Sequence, residues 1–509
     1  MQWLNKIVDE AIAKQPDGEI IVSSGVSPSG KYHLGTLREV LTAEVIMREL
    51  KRRNRDSKHI HFVDDLDGLR KVPAGVSAEY EKYLGKPICQ VPSPDGQAKS
   101  YADYYLNDLL EAAKTLKLEM DVQRSHLRYS EGFFAPAIEL ALDNISKVRE
   151  VLETISGHRL GQEWSPIQVN EDGYLKKRQF VGIDKANKTV TYKDKEGNSQ
   201  TTSYSHGDVK LDWRIDWPAR WWLLHVNVEP FGRDHATKGG SYDTGAALSH
   251  QVFNNEPPIP LPYAFINRSG ETKKMSKSAG DTVDLSQLLQ VLPPEVVWFF
   301  VIRYAPDKQL FFDEGEGVVR LIDEFAELLA KPGKTSEEEQ LVALCTQNLD
   351  VTVSSVPFSH LVASYQAALK NPDKTLEIIS RTEYQKTGAD QEQVIRAELK
   401  FIEQWLEKWA PGDTKFELSQ SVNISDFNET EKAYFAKLAD KIASAPEAAD
   451  GEWFHKAIYE LQESSGLSKP QLFSALYRLL IGKQSGPRAG WFLSMLERDW
   501  LIKRLRLEA

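Results

Sequence analysis

A short segment near the N-terminus combines residue types that suit phosphate binding. Residues 25–40 read GVSPSGKYHLGTLREV, between the apolar run EIIVSSG and the helical pattern LTAEVIMREL. A loop that leaves a parallel strand and enters a helix lies at the edge of a sheet where ligands bind, and its N–H groups favour anions. Gly25 and Gly30 allow close approach of a phosphate, and Pro28 fixes the loop. His33 can donate to a phosphate oxygen, and Gly35 leaves room for a base or a ribose.

A second segment carries the charge that a polyphosphate needs. Residues 273–281 read KKMSKSAGD, with three lysines, two serines and a glycine after a predicted strand. Lysine is a compact cation on a flexible stem, which suits a clamp that closes on phosphates. For either segment taken alone, an ordinary exposed loop remains an equally good interpretation.

The two segments together resemble the signatures of class I aminoacyl-tRNA synthetases. Residues 274–278 read KMSKS, and residues 33–36 read HLGT where the family has HIGH, so Thr36 replaces the second histidine. Further strings resemble the lysyl members of that class. They are FVDDLDGLRKVP (62–73), WRIDWPARW (213–221), EPFGRDHATKGGSYDTG (229–245) and PPEVVWFFVIRYAPDKQLFFD (293–313). The C-terminal string LFSALYRLLIGKQSGPRAGWFLSML resembles the end of the helical anticodon-binding cage that this family shares with the glutamyl enzymes.

The resemblance implies that the carboxylate of the substrate L-lysine attacks the α-phosphate of ATP. The activated lysine is then transferred to tRNA(Lys). It implies ATP as a substrate, Mg²⁺ to neutralise the pyrophosphate, and L-lysine and tRNA(Lys) as partners. The catalytic residues that it implies are His33, Lys274 and Lys277. The ATP-binding residues are Pro28, Gly30, His33, Gly35, Gly232, Asp234, Lys274, Ser276 and Lys277. The amino-acid-binding residues are Gly25, Ser27, Asp65, Trp213, His235 and Tyr263, with Ser27 where the family often has threonine.

The hydrophobic pattern predicts the elements that position these residues. Residues 20–24 and 59–65 are short apolar runs that flank a helical pattern, which indicates a strand–helix–strand unit of a parallel sheet. A later strand is predicted from Trp221 and another from Tyr263, while the pattern is helical from Pro293 onward. The predicted fold is α/β, a Rossmann-type parallel sheet with an inserted acceptor-end domain, followed by an all-α anticodon-binding cage.

Five regions follow from this pattern and from the resemblance. Residues 1–84 and 211–292 are the two halves of the Rossmann catalytic domain, the second of which carries the KMSKS loop. Residues 85–210 form the insertion with a small β element, residues 293–335 a helical stem-contact region, and residues 336–509 the helical anticodon-binding domain.

Composition narrows the class of protein. The chain has 509 residues, a net charge of −11 and two cysteines, which exclude a disulfide framework and a four-cysteine metal site. We expect a cytoplasmic protein, since the sequence has neither a secretory signal nor a long apolar run, and we expect a monomer, since no sustained heptad demands a dimer. Some family members carry a zinc-binding insertion, but residues 170–209 contain no cysteine, so we expect no structural zinc and no metal site. Short basic runs at residues 51–55, 176–178 and 503–506 are candidate tRNA contacts.

Three other functions compete with lysyl-tRNA synthesis. A glutamyl-type synthetase would need a basic residue for the substrate carboxylate, whereas DDLDGLR offers mostly negative charge, with Arg70 nearby. A small nucleotidyltransferase would not need the helical C-terminal region. A non-catalytic tRNA-binding relative would not need His33, Lys274 and Lys277.

Overall fold

The computed structural model describes residues 1–270, 283–447, 449–462 and 465–508. Lys274, Ser276 and Lys277 therefore lie outside the described residues. The chain divides into two compact units. The first unit comprises Met1–Leu289, Val297–Phe312 and Ser336–Leu349, and the second comprises Gln290–Val296, Asp313–Thr335 and Asp350–Ala509.

The strands of the described residues all belong to the first unit. In chain order they are Ile20–Val26 (β1), Ser57–Val63 (β2), Asp121–Arg124 (β3), Ile167–Glu171 (β4), Tyr174–Lys177 (β5), Gln179–Asp184 (β6), Thr189–Lys193 (β7), Ser199–Ser203 (β8), Val209–Leu211 (β9), Val226–Gly232 (β10), Ile259–Tyr263 (β11), Ile266–Arg268 (β12) and Leu310–Phe312 (β13). Strands β11, β10, β1, β2 and β3 form one parallel sheet in that order. The predicted parallel α/β sheet is confirmed.

The helices are numbered in the same way. They are Gln2–Lys14 (α1), Leu34–Arg52 (α2), Tyr101–Thr115 (α3), Ser125–Ser130 (α4), Ala135–Asp143 (α5), Ile145–Ser156 (α6), Trp213–Leu223 (α7), Ser241–Gln251 (α8), Leu285–Val291 (α9), Pro294–Ile302 (α10), Glu316–Ala330 (α11), Ser336–Thr346 (α12), Phe358–Ala367 (α13), Pro372–Ile379 (α14), Gln385–Asp390 (α15), Glu392–Lys408 (α16), Glu429–Ala443 (α17), Gly451–Gln462 (α18), Lys469–Ile481 (α19), Ala489–Met495 (α20) and Arg498–Leu505 (α21). No single described helix is long and apolar enough to cross a membrane, and only α9 with α10, bent by 111°, pass that test of length and composition as a pair.

The strand predicted from Trp221 exists, but its predicted first residue is wrong. Trp221 lies in α7, and the strand β10 begins only at Val226, after His225 with a φ of +52°. An apolar run such as WWLLHVNV does not distinguish a buried helix from a buried strand by periodicity. Trp217 and Trp221, one helical turn apart, are both buried and pack with Ile21 and Ile60 of the sheet, as core residues should.

The inserted region contains two small antiparallel sheets. Strands β5, β4 and β9 form one, and β6, β7 and β8 form the other. Val190, Tyr204, Val209 and Leu211 are fully buried in one apolar cluster with residues of α5 and α6. His206, the potential metal ligand of this region, is hydrogen-bonded through Nδ1 to Ser203 Oγ at 2.9 Å.

We expect chelation to leave the insertion folded, because its β element is held by this apolar packing. No three His, Cys, Asp or Glu side chains of the described residues group into a metal site. The melting temperature should be the same with and without EDTA. Stoichiometric zinc in freshly purified protein, together with a melting temperature that falls on chelation, would contradict the expectation.

The second unit is helical, as predicted. Helix α16 buries Ile395, Leu399, Ile402 and Leu406 on one face, which confirms the face predicted from their spacing. A large apolar cluster joins the helices from α17 to α21. The all-α region predicted from residue 336 onward is confirmed for the described residues, whereas the helical pattern predicted from Pro293 is interrupted by the strand β13, which pairs with β12.

Two buried carboxylates and one half-buried carboxylate hold the segment that precedes α13. Glu295 accepts from the backbone N–H of Thr352 and of Val353, and Glu398 accepts from the N–H of Ser354 at 2.9 Å. Asp323 accepts in the same way from Phe358. Burial, with repulsion by Glu295, raises the pKa of Glu398 to about 8 from its ordinary 4.5. Glu398 is therefore largely protonated at neutral pH.

The second unit should lose stability as the pH rises, because folding favours the protonated form of Glu398. The raised pKa makes the folded state bind more protons than the unfolded state between about pH 4.5 and 8. The free energy of unfolding should fall across that window, with a limiting slope of about 1.4 kcal/mol per pH unit, and level off above it. Glu398→Gln keeps the acceptor for Ser354 and should make the slope smaller, and the rest of the slope comes from groups such as Glu295 and Asp323, whose pKa values burial also raises.

Urea unfolding at a series of pH values measures this effect. Glu407→Gln, an exposed glutamate on the same helix, is the matched control and should keep the wild-type slope. Equal pH dependence in the wild type and Glu398→Gln would show that Glu398 does not titrate in this range.

Candidate functional site

A cleft of about 500 Å³ follows the carboxyl edge of the parallel sheet. His235 follows β10, and the segment from Asp64 to Pro73 follows β2. The segment from Gly25 to Ser29 comprises the last two residues of β1 and the three residues after it. Because these strands are neighbours, the cleft runs across the sheet edge from β10 to β2. Its lining residues are Gly25, Val26, Ser27, Ser29, Asp64, Asp67, Gly68, Arg70, Lys71, Pro73, Trp213 and His235. Four of the six predicted amino-acid-binding residues are therefore brought together.

Aromatic rings form the β10 side of the cleft. The rings of Trp213 and His235 lie 5.4 Å apart, and Trp213 stacks on the buried Trp217 with centroids 5.5 Å apart. Trp213 begins α7, so the helix presents this ring at the sheet edge. Such a wall can pack against the methylene groups of a long side chain and attract a cation.

Gly25 and Tyr263 meet at one carboxylate. Glu39 of α2 accepts from the Gly25 N–H at 2.7 Å through Oε1 and from the Tyr263 hydroxyl at 2.6 Å through Oε2. Burial, followed by the nearby Glu39 charge, raises the pKa of Tyr263 well above its ordinary value, so its hydroxyl stays protonated and donates. Glu39 was missed from the sequence, although a charged residue one turn beyond the loop on a buried helix is a signal.

Asp65, another of the predicted amino-acid-binding residues, lies outside the lining of the cleft. Its carboxylate is fully buried and accepts from Arg124 Nε, from Ser125 Oγ at 3.0 Å and from the His126 N–H at 2.9 Å. Burial raises its pKa, but the His126 hydrogen bond and the Arg124 charge outweigh burial and lower it. Asp65 thus fastens β2 to the start of α4, and it does not line the cleft.

Asp64 and Asp67, its neighbours, line the cleft and belong to a buried ion network. Arg220 pairs with both carboxylate oxygens of Asp64 and, through Nε, with Asp216. Lys210 lies 3.1 Å from both Asp67 Oδ1 and Asp216 Oδ2.

The network keeps its basic members charged. Burial alone would lower the pKa of Lys210, but the charges of Asp216, Asp67 and Asp64 outweigh it and raise the pKa. The pKa of Arg220 is raised in the same way by Asp216 and Asp64. Since Lys210 belongs to β9 of the insertion and Asp64 follows β2, the network joins the inserted region to the floor of the cleft.

Asp216, Arg220 and Lys210 were not predicted. The signal was present in DWRIDWPARWW, because an aspartate and an arginine four residues apart among tryptophans must pair when the helix is buried.

His33 caps the helix that follows the first loop. Its Nδ1 accepts from the Gly35 N–H at 3.0 Å. The neutral tautomer that accepts at Nδ1 carries its proton on Nε2, the atom that can donate to a phosphate. A Cβ on Gly35 would lie 2.7 Å from His33 Cε1, so glycine at this position gives room to the imidazole.

The chain returns from the KMSKS region beside His33. The N–H of Leu34 donates to the Val283 carbonyl at 3.1 Å, and His33 pairs with Asp284 in an isolated β-bridge. Lys31 Nζ lies 2.8 Å from Asp284 Oδ2. The residues that follow the second signature are thus fixed against the first.

The remaining predicted ATP-binding residues occupy two turns at the same edge. Pro28 and Gly30 are buried in the β1–α2 loop, where Tyr101 Oη donates to the Ser29 carbonyl at 3.0 Å. Gly232 ends β10 and precedes Asp234 in a short turn of helix, and a Cβ on Gly232 would lie 2.6 Å from Asp234 Oδ1. Glycine therefore allows the Asp234 carboxylate to fold back on the strand end.

Comparison with known proteins decides the family. Residues 1–348 match the family model described as tRNA synthetases class I (K), and residues 404–508 match the anticodon binding domain. The chain belongs to the class I (K) tRNA synthetase family. Lysine–tRNA ligase 1 of Methanosarcina acetivorans is 35% identical, with 99% of this chain and 98% of that protein covered. Lysine–tRNA ligases of Archaeoglobus fulgidus and Pyrococcus horikoshii are 34% and 32% identical, with 99% or more of each chain covered.

Most of the basic runs of this class I (K) synthetase are engaged in structural pairs. Lys51 pairs with Glu119, and Arg53 with Asp9 and Glu49. In the second unit, Arg504 is buried and donates to the Ser419 carbonyl. Lys177 and Arg178 pair with Asp212 and Glu171, while Lys176 lies over the ring of Tyr174.

Proposed function

We propose that this class I (K) synthetase is a lysine–tRNA ligase. It forms lysyl-adenylate and pyrophosphate from L-lysine and ATP and then transfers lysine to the 3′ end of tRNA(Lys). The relatives that match over their whole length carry the name of this activity. The observation that carries the proposal is the cleft itself, where an aromatic wall and the carboxylates of Asp64 and Asp67 meet at the edge of the sheet.

Lysine selection requires a negative group at the end of an apolar passage. Trp213 and His235 supply rings for the methylene groups of the substrate. Glu39 supplies a carboxylate between Gly25 and Tyr263, and we assign it to the lysine ammonium. A charge-assisted bond from an ammonium to such a carboxylate is stronger than a neutral one.

ATP activation is mostly positioning and neutralisation of charge. The lysine carboxylate attacks the α-phosphorus, the bond to the β-phosphate oxygen breaks, and pyrophosphate leaves. His33 Nε2–H donates to an oxygen of the α-phosphate, where negative charge develops. Lys274 and Lys277 hold the β- and γ-phosphates, and Ser276 assists, as their place in the KMSKS signature implies. Gly232 and Asp234 hold the ribose.

Mg²⁺ enters with ATP in this proposal. The described residues contain no group of three metal-ligating side chains, so they do not form a cage of protein ligands, and an ion bound to the phosphates fits them better. When bound, the ion neutralises charge on the departing pyrophosphate.

The glutamyl alternative is not favoured at this site. A substrate carboxylate would meet Asp64, Asp67 and Glu39, of which Asp64 already engages Arg220 and Asp67 already engages Lys210. Arg220 and Lys210, the two buried cations behind the cleft, are thus committed to the protein's own carboxylates.

The five predicted regions each take one part of this activity. In this proposal residues 1–84 and 211–292 perform the chemistry, residues 85–210 receive the acceptor end, residues 293–335 contact the stem, and residues 336–509 read the anticodon. The enzyme acts as a cytoplasmic monomer.

We expect lysine alone among the standard amino acids to be attached to total tRNA, because the Glu39 carboxylate favours a cation and the rings of Trp213 and His235 suit the straight methylene chain that carries the lysine ammonium. The measurement is charging of total tRNA with each amino acid, with ATP–pyrophosphate exchange run in the presence of tRNA. Glu39→Gln should raise the KM for lysine far more than that for ATP, whereas Glu10→Gln on the exposed face of α1 should change neither. Higher turnover with glutamate would make the lysyl proposal wrong.

A further inference from the structure

A buried tyrosine is hydrogen-bonded to the loop that leads to His33. Helix α3 connects β2 to β3 of the parallel sheet, and Tyr101 is its first residue. The ring of Tyr101 is fully buried, and its hydroxyl donates to the backbone carbonyl of Ser29 at 3.0 Å. Ser29 belongs to the β1–α2 loop and lines the cleft. The bond therefore joins a residue of the interior to the surface of the cleft.

The position of the Tyr101 hydroxyl is set by its surroundings. The N–H of Tyr101 donates to the Val91 carbonyl at 2.8 Å, which fixes the start of α3. The ring packs edge-to-face against Tyr105, one helical turn further on, with centroids 4.9 Å apart. Burial raises the pKa of the Tyr101 hydroxyl well above its ordinary value, so the hydroxyl stays protonated and remains a donor. The loop must therefore adapt to the donor.

The Tyr101 bond also sets the direction of the next backbone N–H. The peptide unit between Ser29 and Gly30 is planar and trans, as are all the described peptide bonds. In a trans unit the carbonyl and the N–H point in opposite directions. Since the Ser29 carbonyl is directed at Tyr101, the Gly30 N–H points away from the Tyr101 ring. One buried hydroxyl thus decides where a backbone donor of the loop is aimed.

The N–H of Gly30 is a donor without a protein partner in the described part of the chain. Gly30 is buried, yet none of the described residues accepts a hydrogen bond from its N–H. Buried backbone N–H groups are almost always paired, because an unpaired one loses its bonds to water and gains nothing in return. A buried donor that is left unpaired beside a ligand cleft is therefore available to a ligand.

The ligand that suits this donor is a phosphate. Backbone N–H groups in a loop between a parallel strand and a helix bind phosphate oxygens. His33, three residues further along the loop, is the residue that the proposed function assigns to the α-phosphate. Lys31, which lies between Gly30 and His33, pairs with Asp284 at 2.8 Å. The backbone N–H, and not the Lys31 ammonium, is thus the group that this part of the loop offers to an anion.

We propose that Tyr101 is a positioning residue for ATP: by holding the Ser29 carbonyl, it aims the Gly30 N–H at a phosphate oxygen of the nucleotide. The proposal rests on the proposed function, since it takes ATP as the occupant of this loop. Tyr101 acts through the peptide unit and does not touch the substrate. Ser29 is exposed, so water could replace the hydroxyl at its carbonyl. The bond therefore adds a fixed direction, which a loop without it would have to acquire on binding.

Binding of ATP and of adenosine tests this role. Tyr101→Phe removes only the hydroxyl and keeps the buried ring. In the full-length protein with tRNA present, it should weaken ATP binding about tenfold, because a hydrogen bond to a charged phosphate loses its alignment. The affinity for adenosine, which has no phosphate, should stay at the wild-type value. In ATP–pyrophosphate exchange the KM for ATP should rise by the same factor, and the KM for lysine should not change.

Tyr80→Phe is the matched control. Tyr80 Oη donates to the Ser93 carbonyl at 3.0 Å, and the ring lies 6.1 Å from that of Tyr101. The variant therefore removes the same kind of bond from the same group of rings, and it should leave both affinities unchanged. Thermal melts of the two variants check folding. The ratio of the affinities for ATP and adenosine can be read on the folded protein even if Tyr101→Phe melts at a lower temperature.

Two kinds of result would overturn the role of Tyr101. Equal loss of ATP and adenosine binding in Tyr101→Phe, or no loss of either, would show that the hydroxyl only stabilises the fold, and the proposed function would stand. A higher KM for lysine with unchanged ATP binding would mean that the Gly30 N–H serves the lysine carboxylate instead. If lysine fails in the amino acid screen while Tyr101→Phe lowers the ratio as expected, the lysyl proposal is wrong and the role of Tyr101 stands.

Discussion

His33→Asn should slow lysine-dependent ATP–pyrophosphate exchange by about 100- to 1000-fold and leave the melting temperature nearly unchanged. Removing one donor that stabilises developing charge typically costs about 3–4 kcal/mol of transition-state energy. Asparagine is a good N-cap, and its side-chain oxygen can accept from the Gly35 N–H in place of Nδ1. The variant thus removes the Nε2–H donor but keeps the end of α2 intact.

His33→Ala is the matched comparison. It removes the cap together with the donor, so it should lose about 1 kcal/mol of stability in addition to the rate. The KM for lysine should stay near the wild-type value in both variants, because the assigned lysine contacts lie at Gly25, Glu39 and Trp213. Near-normal exchange in His33→Asn would show that the histidine only caps the helix.

The parallel sheet could be predicted because strands that are buried on two faces are continuous apolar runs in the sequence. The helical unit could be predicted because its apolar residues recur with the helical period. The apolar runs at residues 20–24 and 59–65 both proved to be neighbouring strands, β1 and β2. The strand predicted from Trp221 was wrong because four tryptophans hide the helical period of α7. Tertiary packing, which places Trp217 and Trp221 against the sheet, decided between helix and strand.

The sequence predicted which segments contribute residues to the candidate site. It did not predict which charged side chains pair with one another there. Ser27, Trp213 and His235 come from three distant segments and meet in the cleft, as the resemblance implied. The choice of Asp65 among three aspartates could not be made from DDLD alone, because period and composition do not say which carboxylate faces inward. The ion pairs in the structure make that distinction. Arg124 and His126 hold Asp65 away from the cleft, whereas Arg220 holds Asp64 at the cleft.

Lys210→Met should destabilise the first unit by about 3–5 kcal/mol, the usual cost of removing one partner from a buried ion pair. Lys210 is 1% exposed and is the cation between Asp67 and Asp216. Methionine fills a similar volume, so the loss would come from carboxylates that stay buried without that charge. The loss should shrink as the pH falls from 8 to 5, because burial raises the pKa of Asp64, a carboxylate whose charge also acts on Lys210, to about 6, and a proton on Asp64 removes negative charge from the network.

Lys177→Met is the control, because Lys177 is 68% exposed and pairs with Asp212 at 2.8 Å on the surface. It should cost less than about 1 kcal/mol. Urea unfolding of both variants at pH 5 and pH 8 gives the comparison. The network joins β9 of the insertion to the aspartates of the cleft, so Lys210→Met should also raise the KM for lysine in charging, whereas Lys177→Met should not. If the two variants lose the same stability, with the same response to pH, the floor of the cleft does not depend on Lys210, and the insertion must be held to the sheet by its apolar contacts alone.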